Sequence, residues 1–157
     1  MMESSIGIAV FLEDGVTWEK AMSIFAARVP AYIYLTSDGP YPIAARGIKN
    51  TKAAVISYWF GQSTFVSGLT QETCRDFAHL SYGIASISHV SETARIQGND
   101  LWETSVGTRV REALELHSPF ETGTSIPSWL CKGNISRSMD PGKLISFAVL
   151  WMFKNSL

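Results

Sequence analysis

Residues 71–83 read QETCRDFAHLSYG. Arg75, His79 and Tyr82 stand here at i, i+4 and i+7, the spacing that sets three side chains in one row along an α-helix. Stepping about 100° per residue from Arg75 puts His79 at about 40° and Tyr82 at about −20°. Gln71 and Glu72 fall on the same side, and Ser86, His89 and Thr93 return to it further along, while Phe77, Leu80, Ile84 and Ile87 lie opposite. The pattern predicts one long amphipathic helix from 71 to about 97, with an apolar back and a polar stripe. Thr70 or a neighbour caps it, Glu72 sits in a first turn where the helix dipole favours a carboxylate, and Gly98-Asn99-Asp100 closes it.

On either side the chain again reads as helices and loops. A helix is predicted over 2–14, and a second over 18–28 with Thr17 as N-cap and Pro30 as its stop. Its apolar positions are Trp18, Ala21, Met22 and Phe25. Turn residues crowd AYIYLTSDGPYPIAARG (31–47), which predicts an irregular loop. A short helix follows over 51–59, a loop over 60–70, and a last helix over 101–117 with Val106, Val110, Ala113 and Leu114 on one stripe. Pro119 breaks that pattern, and 120–134 read as loop. Helix pairs joined by loops, with almost no alternating strand pattern, give an all-α fold.

Composition narrows the function classes. The chain has 157 residues, 46% hydrophobic and 17% charged, which suits one globular domain or part of a larger one. A net charge of −1 argues against a nucleic-acid partner, and an anionic ligand would require a local cluster of cations. The apolar runs IGIAVFL and LISFAVLWMF (144–153) are too short to span a bilayer, and no basic leader precedes Glu3. No CxxC or His/Cys metal spacing appears, and neither a metal nor a cofactor is implied. Two cysteines are too few for a disulfide framework; one bridge is open to them, but Cys74, inside a helical pattern, reads as a buried free thiol.

Most polar helix faces only meet water. This stripe is unusual in holding His, Tyr, Gln, Ser and Thr where Lys and Glu are common. His titrates near neutrality and Tyr is a weak acid, so the two can move protons, and Arg75 can bind a carboxylate. Glu72 and Asp76, four apart, form a weaker carboxylate pair of glycosidase type, since two carboxylates one turn apart on a helix seldom straddle a sugar bond. His117 stands alone near a helix end and reads as a partner for the helix dipole. Trp59, Phe60 and Gln62 would suit a sugar-stacking wall, although aromatic residues at a helix end are more often core.

The run GLTQETCRDFAHLSYGIASISHVSETARIQGNDLWE (68–103) resembles the alginate lyase domain family of polysaccharide lyases. That family carries the theme QE-x-x-RD-x-x-H-x-x-x-G followed by AE-x-A-x-x-QG-x-DLY; this chain has QETCRDFAHLSYG and SETARIQGNDLW. IGIAVFLEDG, ARVPAYIYLTSDG, SYWFGQSTFVSG, VREALELHSPFETG and IPSWLCKGNI also look like family segments, so the likeness covers about residues 2–135. It implies a partial lyase-like domain over 1–135, built as a partial (α/α) toroid of helical hairpins, and an off-family tail over 136–157, as in a truncated member. The family's later asparagine, histidine, tyrosine and arginine group is missing from that tail.

The resemblance implies β-elimination on uronic-acid polysaccharides such as alginate or glucuronan. Gln71 and Arg75 would neutralise the uronate carboxylate, His79 would be the base and Tyr82 the acid, with Gln62 and Glu72 as further substrate contacts. His79 and Arg75 should then face a concave surface. An acidic polysaccharide is the implied partner, and an extracellular or periplasmic location follows from the family's external substrates. The competing readings are a non-catalytic remnant that binds acidic glycan, and an inverting glycosidase using Glu72 or Asp76.

Overall fold

The structure, a computed structural model, describes residues 2–136; the expected off-family tail over 136–157 lies outside them, apart from Ser136. Among the described residues the chain forms α1 (Met2–Phe11), α2 (Gly15–Tyr32), α3 (Lys52–Tyr58), α4 (Phe77–Ile96) and α5 (Ser105–Glu121), with short 3-10 turns at Thr36–Asp38 and Cys131–Gly133. No strand forms among them, and one isolated antiparallel bridge joins Ile33 to Thr70. The fold is all-α.

Short links make α1–α2 and α4–α5 two helical hairpins. They stand side by side, α1 packing on α4 and α2 on α5. The stripes expected from periodicity meet in the middle: Ala21, Phe25 and Val29 from α2, Phe77, Leu80, Ile84 and Ile87 from α4, and Val106, Val110 and Ala113 from α5 are all buried, joined by Ile6 from α1. Trp18, Met22 and Leu114 pack against this core while staying partly exposed.

Several boundaries differ from the sequence expectation, each for a physical reason. Asp14, not Thr17, caps α2. Its carboxylate accepts from the Thr17 amide at 3.1 Å and the Thr17 hydroxyl at 2.5 Å, so Thr17 serves the cap from inside the first turn. Pro30 does not stop α2, which runs to Tyr32. A proline inside a helix removes one hydrogen bond, and here the burial of Val29, Ala31 and Ile33 outweighs that loss. Pro119 likewise lies within α5. Segment 31–47 is therefore irregular only after the helix ends. Ile33–Leu35 run extended beside 68–71, with Tyr34 N–H donating to Leu69 C=O, Gly68 N–H to Tyr34 C=O and Gln71 N–H to Tyr32 C=O.

The largest correction concerns the opening stretch. The helix begins at Phe77, so 71–75 are tight turns and not its first five residues. Asp76, extended at φ −175°, is the N-cap in place of Thr70. Thr70 instead donates its amide to the Thr73 hydroxyl at 3.0 Å, and Thr73 meets the buried ring of His117 at 3.0 Å. His117 Nδ1 lies 2.7 Å from the Ala113 carbonyl, so the ring is a core bridge between α5 and the turn and not a dipole partner at a helix end. Cys74 is not a free thiol either: it forms a disulfide with Cys131. Anchored at both Thr73 and Cys74, the turn cannot wind into α4.

Two predictions follow from these anchors. The bridge spans 57 positions, and closing a loop of that length should contribute about 4 kcal/mol through the unfolded chain. The Cys74→Ser/Cys131→Ser pair should lower the urea midpoint accordingly, whereas an unchanged midpoint would remove the disulfide from the account. Burial lowers the His117 pKa to about 4 from an ordinary 6.5. The unfolded chain then takes up this proton first, so stability should be level above pH 6.5 and fall as pH drops toward 4. The slope should approach 1.4 kcal/mol per pH unit, about 3 kcal/mol in all. Denaturation at pH 7.5, 6 and 5 measures it, and His117→Gln should flatten it.

Candidate functional site

Asp76 both starts α4 and holds His79. Its Oδ1 accepts from the His79 amide at 2.8 Å, completing the cap. The same carboxylate lies 2.8 and 2.7 Å from His79 Nδ1. A carboxylate only accepts, so Nδ1 carries a proton, and in the neutral ring Nε2 is the nitrogen with the open lone pair. Burial pushes the Asp76 carboxyl up, but the His79 amide and ring, with Arg75 beside them, hold it below its ordinary value. Asp76 is therefore ionised at neutral pH. The imidazole is partly exposed, 41% for the side chain, and so can be reached from outside.

The Tyr82 ring stands edge-on to the His79 ring, with centroids 6.4 Å apart, and Tyr82 is exposed. Arg75 stands on the turn just before Asp76, whose carboxylate feels its charge, and its guanidinium lies 3.5 Å from Glu72. The expected single row thus becomes two parts: His79 and Tyr82 on α4, and Arg75 with Glu72 on the preceding turn. Gln71 is buried and donates to the Tyr58 carbonyl at 2.8 Å. Gln62 is also buried, against Cys74. Its amide donates to the Thr64 and Trp129 carbonyls at 2.6 and 3.1 Å and accepts from the Cys131 amide at 2.9 Å, which makes it a loop anchor beside the disulfide. Trp59 belongs to the core, and Phe60 is exposed.

A cleft of about 850 Å³ opens between α2, the loop at 43–46, the end of α3 and α4. Arg28, Tyr32, Arg46, Tyr58, Gln71 and Ser86 are among its walls. His79, Tyr82 and Arg75 do not line it. Gly83 and Ser86, which do, are i+4 and i+7 from His79 and so share its helical face. The cleft therefore runs along the face of α4 that carries the imidazole at its N-terminal end. Tyr32 joins the two: its hydroxyl donates to the His79 carbonyl at 3.4 Å. Burial, reinforced by the charge of Glu72, raises its pKa far above the ordinary range and keeps the phenol neutral. Gly83 makes this approach possible, since a Cβ there would lie 1.8 Å from the Tyr32 hydroxyl and 2.1 Å from Cζ.

The role of Asp76 as cap and partner of His79, and the part of Arg28, Tyr32, Arg46 and Tyr58 in the cleft, were not among the expectations. Asp three residues before His at a helix start is an N-cap signal that the longer helical pattern concealed. Among the described residues no helix is long and apolar enough to cross a membrane, and no cluster of three or more His, Cys, Asp or Glu side chains could hold a metal ion. Set against known protein families, curated proteins and solved structures, the chain matches none.

The close approach at Gly83 gives a prediction. Gly83→Ala should destabilise the fold by about 1–3 kcal/mol, because a rigid ring must shift to admit one methyl group. Thermal unfolding measures it; an unchanged midpoint would show that Tyr32 moves aside freely.

Proposed function

We propose that this chain is a polysaccharide lyase-type domain that cleaves uronic-acid polymers, alginate or glucuronan, by β-elimination, and that its two hairpins are part of an (α/α) toroid. The observation that carries the reading is the Asp76–His79 pair. It presents an imidazole with its Nε2 lone pair available, next to a phenol, on the helix face that borders a cleft.

The chemistry assigns each group a role. Arg75 pairs with the uronate carboxylate and stabilises the negative charge that builds as the C5–H bond breaks. His79 Nε2 takes the C5 proton, and the imidazolium that forms is stabilised by the Asp76 carboxylate. The electron pair of the C5–H bond becomes the C4=C5 double bond as the C4–O bond breaks. The leaving oxygen takes a proton from Tyr82. Gln71 acts from the cleft wall, and Glu72 orients Arg75. The disulfide suits an oxidising compartment, in keeping with an extracellular or periplasmic location.

The glycosidase reading is weakened by the same geometry, since the Asp76 carboxylate is committed to the cap and to His79. Product chemistry separates the readings, because elimination leaves an unsaturated sugar that absorbs in the ultraviolet and hydrolysis does not. With alginate and glucuronan as substrates, His79→Ala should lower the appearance of that absorbance by on the order of 10²–10⁴-fold. Asp76→Asn should keep the cap, because Asn and Asp serve equally there, yet lose activity tenfold or more as the imidazolium loses its counter-charge. Near-normal rates for His79→Ala would end the base assignment. Reducing ends without unsaturation would favour hydrolysis, and binding without any product would favour the glycan-binding reading.

A further inference from the structure

Arg28, Arg46 and Arg111 are exposed arginines without a carboxylate partner among the described residues, and of these Arg28 and Arg46 stand at the cleft. Arg75, Arg95 and Arg109 each lie within 4 Å of a carboxylate: Glu72, Glu92 and Asp38 respectively. Among the described residues no such ion pair forms at Arg28 or Arg46, and both are exposed at the rim of the same cleft. No aspartate or glutamate lines that cleft among the described residues. A chain with a net charge of −1 thus carries a groove whose formal charge is wholly positive. The two arginines come from separate elements, Arg28 from α2 one turn before its end at Tyr32 and Arg46 from the loop that follows.

The rest of the lining is that of a sugar site. Tyr58 presents a partly exposed aromatic ring, Ser23 and Ser86 bring hydroxyls, and Gln71 brings an amide. A volume of about 850 Å³ falls in the ordinary range of ligand sites, roughly 300–1,000 Å³. Guanidinium groups favour carboxylates because their paired N–H donors match the two oxygens.

We infer that this cleft binds a carboxylated oligosaccharide, with Arg28 and Arg46 each pairing with the carboxylate of a different sugar and Tyr58 stacking on a ring between them. The inference rests on the lyase reading for its substrate class and deepens it. The enzyme would recognise uronates next to the one that reacts at His79, so specificity would come from the charge pattern along the polymer and not from the reacting sugar alone.

Calorimetry on the full chain carrying His79→Ala tests this without turnover. The probes are an alginate tetrasaccharide, a neutral glucose tetrasaccharide and inorganic phosphate. The charged tetrasaccharide should bind at least tenfold more tightly than the neutral one, and more weakly as salt rises. Arg28→Gln and Arg46→Gln should each weaken it about tenfold or more while leaving thermal unfolding unchanged, since neither side chain is buried. No binding of the charged probe, equal binding of the neutral one, equal binding of phosphate, or full affinity in both variants would each overturn the inference. The two proposals fail separately: arginine-dependent binding with no unsaturated product from the unsubstituted chain sinks the lyase reading alone, while elimination that depends on His79 with arginine-independent binding sinks the cleft assignment alone.

Discussion

The buried pair of Arg109 and Asp38 is the constraint on which the rest of the arrangement depends. Arg109 reaches from α5 and grips both carboxylate oxygens of Asp38, at 2.7 and 2.5 Å, while also donating to the Ile33 carbonyl at 2.6 Å. Burial pushes the Asp38 carboxyl up; the Arg109 guanidinium and the Leu35 amide overcome that and hold it below its ordinary value. Removing one partner of such a pair leaves a charge in a poorly solvated place, which is far more costly than the pair is stabilising. Through this pair α5 fixes residues 33–38, these fix 68–71 by backbone hydrogen bonds, and 68–71 lead directly into the turn that presents Arg75 and Asp76. The candidate site is thus positioned in part from the neighbouring helix.

At the end of that path, one side chain sets both structure and chemistry. Asp76 determines where α4 begins and which nitrogen of His79 holds the proton. Capping needs an acceptor for the amide of the third helical residue, and His79 occupies that position, so its ring falls next to the same carboxylate. The imidazole tautomer is therefore a consequence of the helix start.

The residues that were legible in the sequence are those whose environment repeats with the helical period. Phe77, Leu80, Ile84 and Ile87 were placed on the buried face of α4, and they lie there, because burial of a stripe depends only on spacing. The turn at 71–75 was not legible, because its partners are remote: Cys131 and His117 hold it from more than forty residues away. Without them, Gln71, Glu72 and Arg75 fit a helix well. Pro30 misled in the opposite direction, since a local rule against proline met a tertiary gain in burial. Arg109 could have been noticed. It stands three residues after Val106 and four before Ala113, on the stripe that faces inward, and a charge in that row requires a partner. His79 and Tyr82 were identified by residue type and remain together, whereas Gln62 drew attention for its place in a loop and proves to be tied to backbone groups.

The bridge between Cys74 and Cys131 has a mechanical consequence. It encloses α4 and α5, and with them the imidazole of His79, in a covalent ring. Tension applied at the two ends of the polypeptide passes across the sulfur atoms and bypasses everything within the ring. The chain would then extend by roughly 200 Å less than its contour allows. Under shear, or when tethered to a polymer that pulls on it, the hairpin bearing the proposed base is shielded from the load, while α1, α2 and α3 carry it.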